Sequence, residues 1–138
     1  GGTIRFYDQE QRLMMRRRLT EIAEQTAAAY GARAEVELEW GVGSTDNDPA
    51  MADLVRECAA QVVGPENVNE GDLLMVSEDM SEFLNRIPGC FYLVGSMNES
   101  RGLNWGHHTA KFDIDEDALA IGIETMTRTV LTYLDQNR

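Results

Sequence analysis

Cysteine is scarce in this chain. Only Cys58 and Cys90 occur, in no Cys-x-x-Cys pair, which excludes a disulfide scaffold. Cys58 precedes Ala59-Ala60 and Cys90 lies between Gly89 and Phe91, and both read as buried free thiols, in keeping with a reducing, cytoplasmic setting. No apolar run approaches the roughly 18 residues that span a bilayer. Gly1–Arg5 has no apolar core of a secretory signal. Positive charge is also short: 12 Lys and Arg stand against 24 Asp and Glu, for a net charge of −12. A surface this acidic excludes nucleic acid and anionic membranes as partners, because both are bound through cationic side chains. The sequence has no Gly-x-Gly-x-x-Gly, no phosphate loop and no Gly-x-Ser-x-Gly elbow, so nucleotide-enzyme and serine-hydrolase readings find no support. No internal repeat or low-complexity tract occurs.

The pattern that is present alternates strands with helices. Thr3–Tyr7 is β-branched and aromatic and predicts a short strand. Asp8 offers an N-cap with Gln11 at the capping-box position. Met15, Leu19, Ile22, Ala23, Thr26 and Tyr30 then mark one helix face, and Gly31 ends it. In Arg33–Trp40, Ala34, Val36, Leu38 and Trp40 alternate with Arg33, Glu35, Glu37 and Glu39, the signature of a half-buried strand. Gly41–Asp48 breaks this pattern and marks a boundary between residues 1–41 and 42–138. The charge divides there too: six cations meet seven acids in the first part, and six meet seventeen in the second. Asp48-Pro49 starts a helix that runs to Val63 and stops at Gly64-Pro65. Ser77 is expected to cap a helix from Glu78 to about Arg86. Cys90–Val94 reads as a buried strand, and a final helix from about Asp115 shows Leu119, Ile123, Met126, Val130 and Leu134 on one face. The sum is α/β with too few strands for a finished sheet.

Chemistry-bearing residues are few. The only histidines, His107 and His108, lie in a loop between a strand and a helix, where metal ligands and general bases are commonly mounted. One such ligand cannot define a metal site. Ser77-Glu78-Asp79 places two carboxylates at a helix start, where the helix dipole alone accounts for them.

The segments Met75-Val76-Ser77-Glu78-Asp79-Met80-Ser81, Pro88-Gly89-Cys90-Phe91-Tyr92-Leu93-Val94-Gly95 and His108-Thr109-Ala110-Lys111-Phe112-Asp113-Ile114-Asp115-Glu116 occur in this order. They resemble the C-terminal half of a metallopeptidase family that includes aminoacylases, hippurate hydrolase and glutamate carboxypeptidase. Gly2-Thr3-Ile4-Arg5 with Asp8, and Asn47-Asp48-Pro49, fit the same pattern. Val76, Met80, Met97 and Ala110 depart from it.

The resemblance implies a fold: residues 1–41 as the second half (β-α-β) of a ferredoxin-like lid and dimerisation domain, and 42–138 as the C-terminal part of an α/β metallohydrolase catalytic domain. It also implies a parent enzyme that cleaves the amide bond of N-acyl amino acids or related conjugates with two divalent metal ions, zinc or manganese. His108 matches the family's last metal-ligating histidine, and Ser77, Glu78 and Asp79 match a loop near the metals. His107 falls where the family has an apolar residue and receives no role. The remaining ligands and the general base belong to an N-terminal portion of the same enzyme. This chain is therefore expected to be an incomplete fragment, with no catalytic residue of its own and no metal fully bound by it alone. Its partners are expected to be that portion and a second copy joined through the lid strands. The rival reading is a binding or assembly module that uses the same strands and catalyses nothing.

Overall fold

A computed structural model describes all 138 residues. The chain divides into two compact units, residues 1–46 with 72–88, and residues 47–71 with 89–138. Both are built from helices and irregular segments, and the chain forms no β-sheet.

The first unit is organised by α1 (Gln9–Ala29). Asp8, at an extended φ of −139°, accepts the Gln11 N–H at 2.8 Å, and the Gln11 side chain accepts the Tyr7 N–H at 3.4 Å. At the other end Gly31 takes φ +68°, and the Ala32 N–H reaches the Ala27 carbonyl while that of Gly31 reaches Ala28. This is a Schellman ending, which needs a left-handed residue at Gly31. The start and stop of α1 therefore follow from residues 8, 11 and 31.

The expected β-α-β arrangement is overturned. Neither Thr3–Tyr7 nor Arg33–Trp40 joins a ladder. The side-chain alternation survives: Ala34, Val36 and Leu38 are half-buried while Arg33, Glu35, Glu37 and Glu39 are exposed. Val36 and Leu38 line a groove with Leu13 and Thr20 of α1. Alternation fixes which side chains meet a helix, but a ladder also needs a second backbone about 4.8 Å away. The chain places none there.

What fastens these segments to α1 instead is a cation held among aromatic rings. The Arg12 guanidinium carbon sits 5.0 Å from the Phe6 ring centroid and 4.1 Å from that of Trp40. Arg12 Nη2 also donates to the Gly41 carbonyl at 2.9 Å, and Arg16 lies 4.7 Å from the Trp40 centroid. Exposed contacts of this kind contribute about 0.5–1 kcal/mol each.

The rest of this unit contains α3 (Ser81–Leu84), much shorter than the expected Glu78–Arg86 helix. Ser77 does not cap it. The Glu78 side chain accepts the Met80 N–H at 3.1 Å, and the following residues close as overlapping turns. Asn85 Nδ2 donates to the Ser44 carbonyl at 3.1 Å.

The second unit is built on α2 (Pro49–Val63) and α4 (Asp117–Gln136). Asp48 accepts the Met51 N–H at 3.0 Å with Pro49 at the first helical position, and Gly64 ends α2 at φ +85°. Leu54, Val55 and Cys58 are the buried apolar residues, and Thr125 and Thr129 of α4 are buried with them. The Cys58 thiol donates to Thr132 Oγ1 at 3.7 Å.

Here too an expectation is corrected. Leu119, Ile123, Met126, Val130 and Leu134, read as the core face of α4, are 48–69% exposed. The helix turns inward Ala118, Ile121, Gly122, Thr125, Thr129 and Thr132, mostly small side chains, of which Thr125 and Thr129 are buried and the others half-buried. Short side chains let two helices approach closely, since interaxial distance depends on the side chains at the contact.

Cys90–Val94 is not a buried strand either: Leu93 is 70% exposed. Its backbone is held by a side chain. Asn47 accepts the Phe91 N–H at 2.8 Å and donates to the Phe91 carbonyl at 2.9 Å, and the Asp48 N–H reaches the Gly89 carbonyl. Burial raises the Cys90 thiol pKa, partly offset by Arg56, which makes the thiol a weak nucleophile. Both cysteines are free, Cys58 buried and Cys90 half-buried.

Candidate functional site

The histidine loop is closed at its base by a polar cluster. Asn98 and Leu103 exchange N–H···O bonds of 2.9 Å around the turn Glu99–Arg101. Asn98 Oδ1 accepts from Ser100 Oγ at 2.7 Å and from the Arg101 N–H at 3.3 Å, while Asn98 Nδ2 donates to Asp115. Asp115 is buried and also accepts from Arg101 Nη1 at 2.6 Å and from the Asp117 N–H at 3.2 Å, and its own N–H donates to the Ser96 carbonyl. The cluster therefore ties the loop entrance, its first turn and the start of α4 to one carboxylate.

The Asn98 amide and then the Asp117 N–H hold the Asp115 carboxyl below its ordinary value of 3.8 against the opposing effect of desolvation, with a lesser lowering from the Arg101 cation. A carboxyl whose folded pKa is depressed stabilises the fold above its unfolded pKa and loses that contribution as pH falls through the folded value. Asp115→Asn is accordingly expected to be less stable than the parent chain at neutral pH. The gap should close on acidification below about pH 4. Urea unfolding at several pH values checks this, and a gap that widened in acid would contradict it.

The tip of the loop is held by its own side chains. The His107 ring stacks on Phe112 at 4.4 Å between centroids, tilted by 31°. Lys111 Nζ sits 4.2 Å from the Trp105 ring centroid. Thr109 Oγ1 donates to the Gly106 carbonyl at 2.9 Å, and the Phe112 N–H to the Thr109 carbonyl at 3.2 Å. Between these contacts His108 is exposed and takes φ +64°, the only non-glycine residue with positive φ. Left-handed backbone costs an ordinary residue about 1–2 kcal/mol, although His is among the types enriched there, and the contacts on either side favour it.

The other sequence candidates lie elsewhere. Ser77 and Asp79 are exposed and Glu78 is half-buried, all in the first unit, whereas His108 belongs to the second. No group of three or more His, Cys, Asp and Glu side chains is placed to hold a metal ion. The residues of this chain by themselves therefore do not fit a metal centre, which requires several converging ligands. The Asn98–Arg101–Asp115 cluster escaped sequence reasoning. Its one local signal was Asn98 three residues before Arg101, a side chain placed to cap a turn.

With this geometry in place, the comparisons identify the chain. Residues 3–132 match peptidase family M20/M25/M40, and the chain belongs to that family. It is 32% identical to thermostable carboxypeptidase 1 of Saccharolobus solfataricus over 88% of the chain and 30% of that protein. It is also 32% identical to N-acetyl-L-cysteine deacetylase of Bacillus subtilis, over 99% of the chain and 31% of the relative. Indole-3-acetyl-aspartic acid hydrolase of Enterobacter agglomerans is 32% identical over 84% and 27%, respectively. The chain thus spans about a third or less of the length of these relatives. No helix is long and apolar enough to cross a membrane.

Proposed function

We propose that this chain supplies the C-terminal part of a metal-dependent amidohydrolase that cleaves the amide bond of N-acyl amino acids or related conjugates. The observation that carries the reading is the family match over residues 3–132, which includes an exposed His108. Two of the relatives are named as a deacetylase of an N-acetyl amino acid and a hydrolase of an indole-acetyl amino acid, and a third as a carboxypeptidase, which supports amide bonds of amino acid conjugates as the substrate class. In this reading His108 supplies one ligand to a centre of two zinc or manganese ions whose other ligands come from an N-terminal portion of the same enzyme. Ser77, Glu78 and Asp79 form a loop near it. The two free thiols fit a reducing, cytoplasmic setting.

Leu73, Leu74, Met75 and Val76 are 46–84% exposed, and the outer face of α4 is open as well. Uncovered apolar side chains of this kind mark an interaction site. The N-terminal portion would cover it, and a second copy would add along residues 33–40.

The test is hydrolysis of N-acetyl and indole-acetyl amino acids by a polypeptide of the relatives' length. We expect cleavage that a chelator abolishes and that zinc or manganese restores, with none from the 138-residue chain. Hydrolysis by this chain alone would contradict the reading. Binding of a second chain with no hydrolysis at any length would favour an assembly module instead.

A further inference from the structure

We propose that His107 is a positioning residue: its ring, stacked on Phe112, works with Lys111 over Trp105 to close residues 105–112 into a clasp that holds His108 left-handed at the surface. Three contacts straddle His108 at increasing span. Thr109 Oγ1 reaches back to the Gly106 carbonyl, the Phe112 ring to His107, and Lys111 Nζ to Trp105. The Phe112 N–H adds a turn on the C-terminal side by donating to the Thr109 carbonyl. None of these contacts uses the His108 side chain. Left-handed backbone is uncommon outside glycine, although His is among the residues enriched there, and here the neighbours on both sides are fastened to each other.

The division of labour between the two histidines follows. One face of the His107 ring is covered by Phe112, so in this loop it serves as a flat aromatic surface. An apolar ring would do the same work at this position. His108 is left with both ring nitrogens free for a group outside the chain. The inference rests on the reading of His108 as a contact residue for what it does to function, but the clasp stands on geometry within this chain.

The experiment uses amide hydrogen exchange and backbone NMR on the 138-residue chain. His107→Ala should speed exchange of the Phe112 N–H on the order of tenfold and shift or broaden the His108 amide signal. His107→Phe should return both to their original values, and Lys111→Met should loosen the loop in the same direction as His107→Ala. The amides of Cys58 and Thr129, in the helical core, should not change in any variant. That control separates a local clasp from general destabilisation. Unchanged His108 and Phe112 signals in His107→Ala, or a His107→Phe variant that behaves like the alanine, would overturn the proposal. A loosened loop in His107→Ala together with undiminished hydrolysis by a longer His108→Ala polypeptide would overturn the reading of His108 on which its functional consequence rests.

Discussion

Lysine placed at both Ile123 and Val130 should leave the stability of this chain within about 0.5 kcal/mol of the parent, the range for surface substitutions. Both positions are open, at 69% and 48% exposure. In a polypeptide of the relatives' length the same pair should cost more than about 4 kcal/mol, because two cations would then be buried without partners. Leu54→Ala is the contrast: Leu54 is 7% exposed in the α2–α4 core, and its truncation should cost about 2–5 kcal/mol in either context. Urea unfolding of the variants in both contexts gives the answer. If the double lysine unfolded the short chain as Leu54→Ala does, the outer face of α4 would already be covered within it.

His108→Ala should lower hydrolysis by the longer polypeptide at least about a hundredfold, since even residues that only support a metal ligand cost 10–100-fold when removed. In the 138-residue chain the same variant should melt as the parent does, because the His108 side chain is exposed. His108→Gly should remove the backbone cost of φ +64° and stabilise the short chain by up to about 1 kcal/mol, while losing hydrolysis equally. This pair separates function from folding at one position. Hydrolysis within a few-fold of the parent in His108→Ala would remove the residue from the site.

The helix boundaries were legible because their causes are local. Asp8 and Asp48 each reach a backbone N–H three residues on, and Gly31 and Gly64 supply positive φ where a helix must stop. The half-burial of Val36 and Leu38 was legible for the same reason, since alternation is written residue by residue. Pairing was not. Whether Arg33–Trp40 joins a ladder depends on a backbone that the segment itself cannot specify, and the structure replaces the ladder with Arg12 between Phe6 and Trp40. The inward face of α4 was misread because hydrophobicity ranks Leu119 and Ile123 above Thr125 and Thr129. The face turned inward carries mostly small side chains, and the more apolar stripe is left open. At the site, His108 could be singled out from its motif. Its left-handed backbone and the Asn98–Arg101–Asp115 closure depend on contacts across up to 17 residues, which spacing alone does not announce.

Zinc affinity of the 138-residue chain is the most direct measure of the central claim, that the chain contributes to a metallohydrolase centre it cannot assemble by itself. A single exposed imidazole binds zinc weakly, whereas a site with several converging protein ligands binds it tightly enough to drive folding. Titrated against an indicator of micromolar zinc affinity, an equimolar amount of this chain should leave the indicator's metal in place. The longer polypeptide should strip it, and its His108→Ala variant should strip less. Stoichiometric removal of zinc by the 138-residue chain alone would contradict the account.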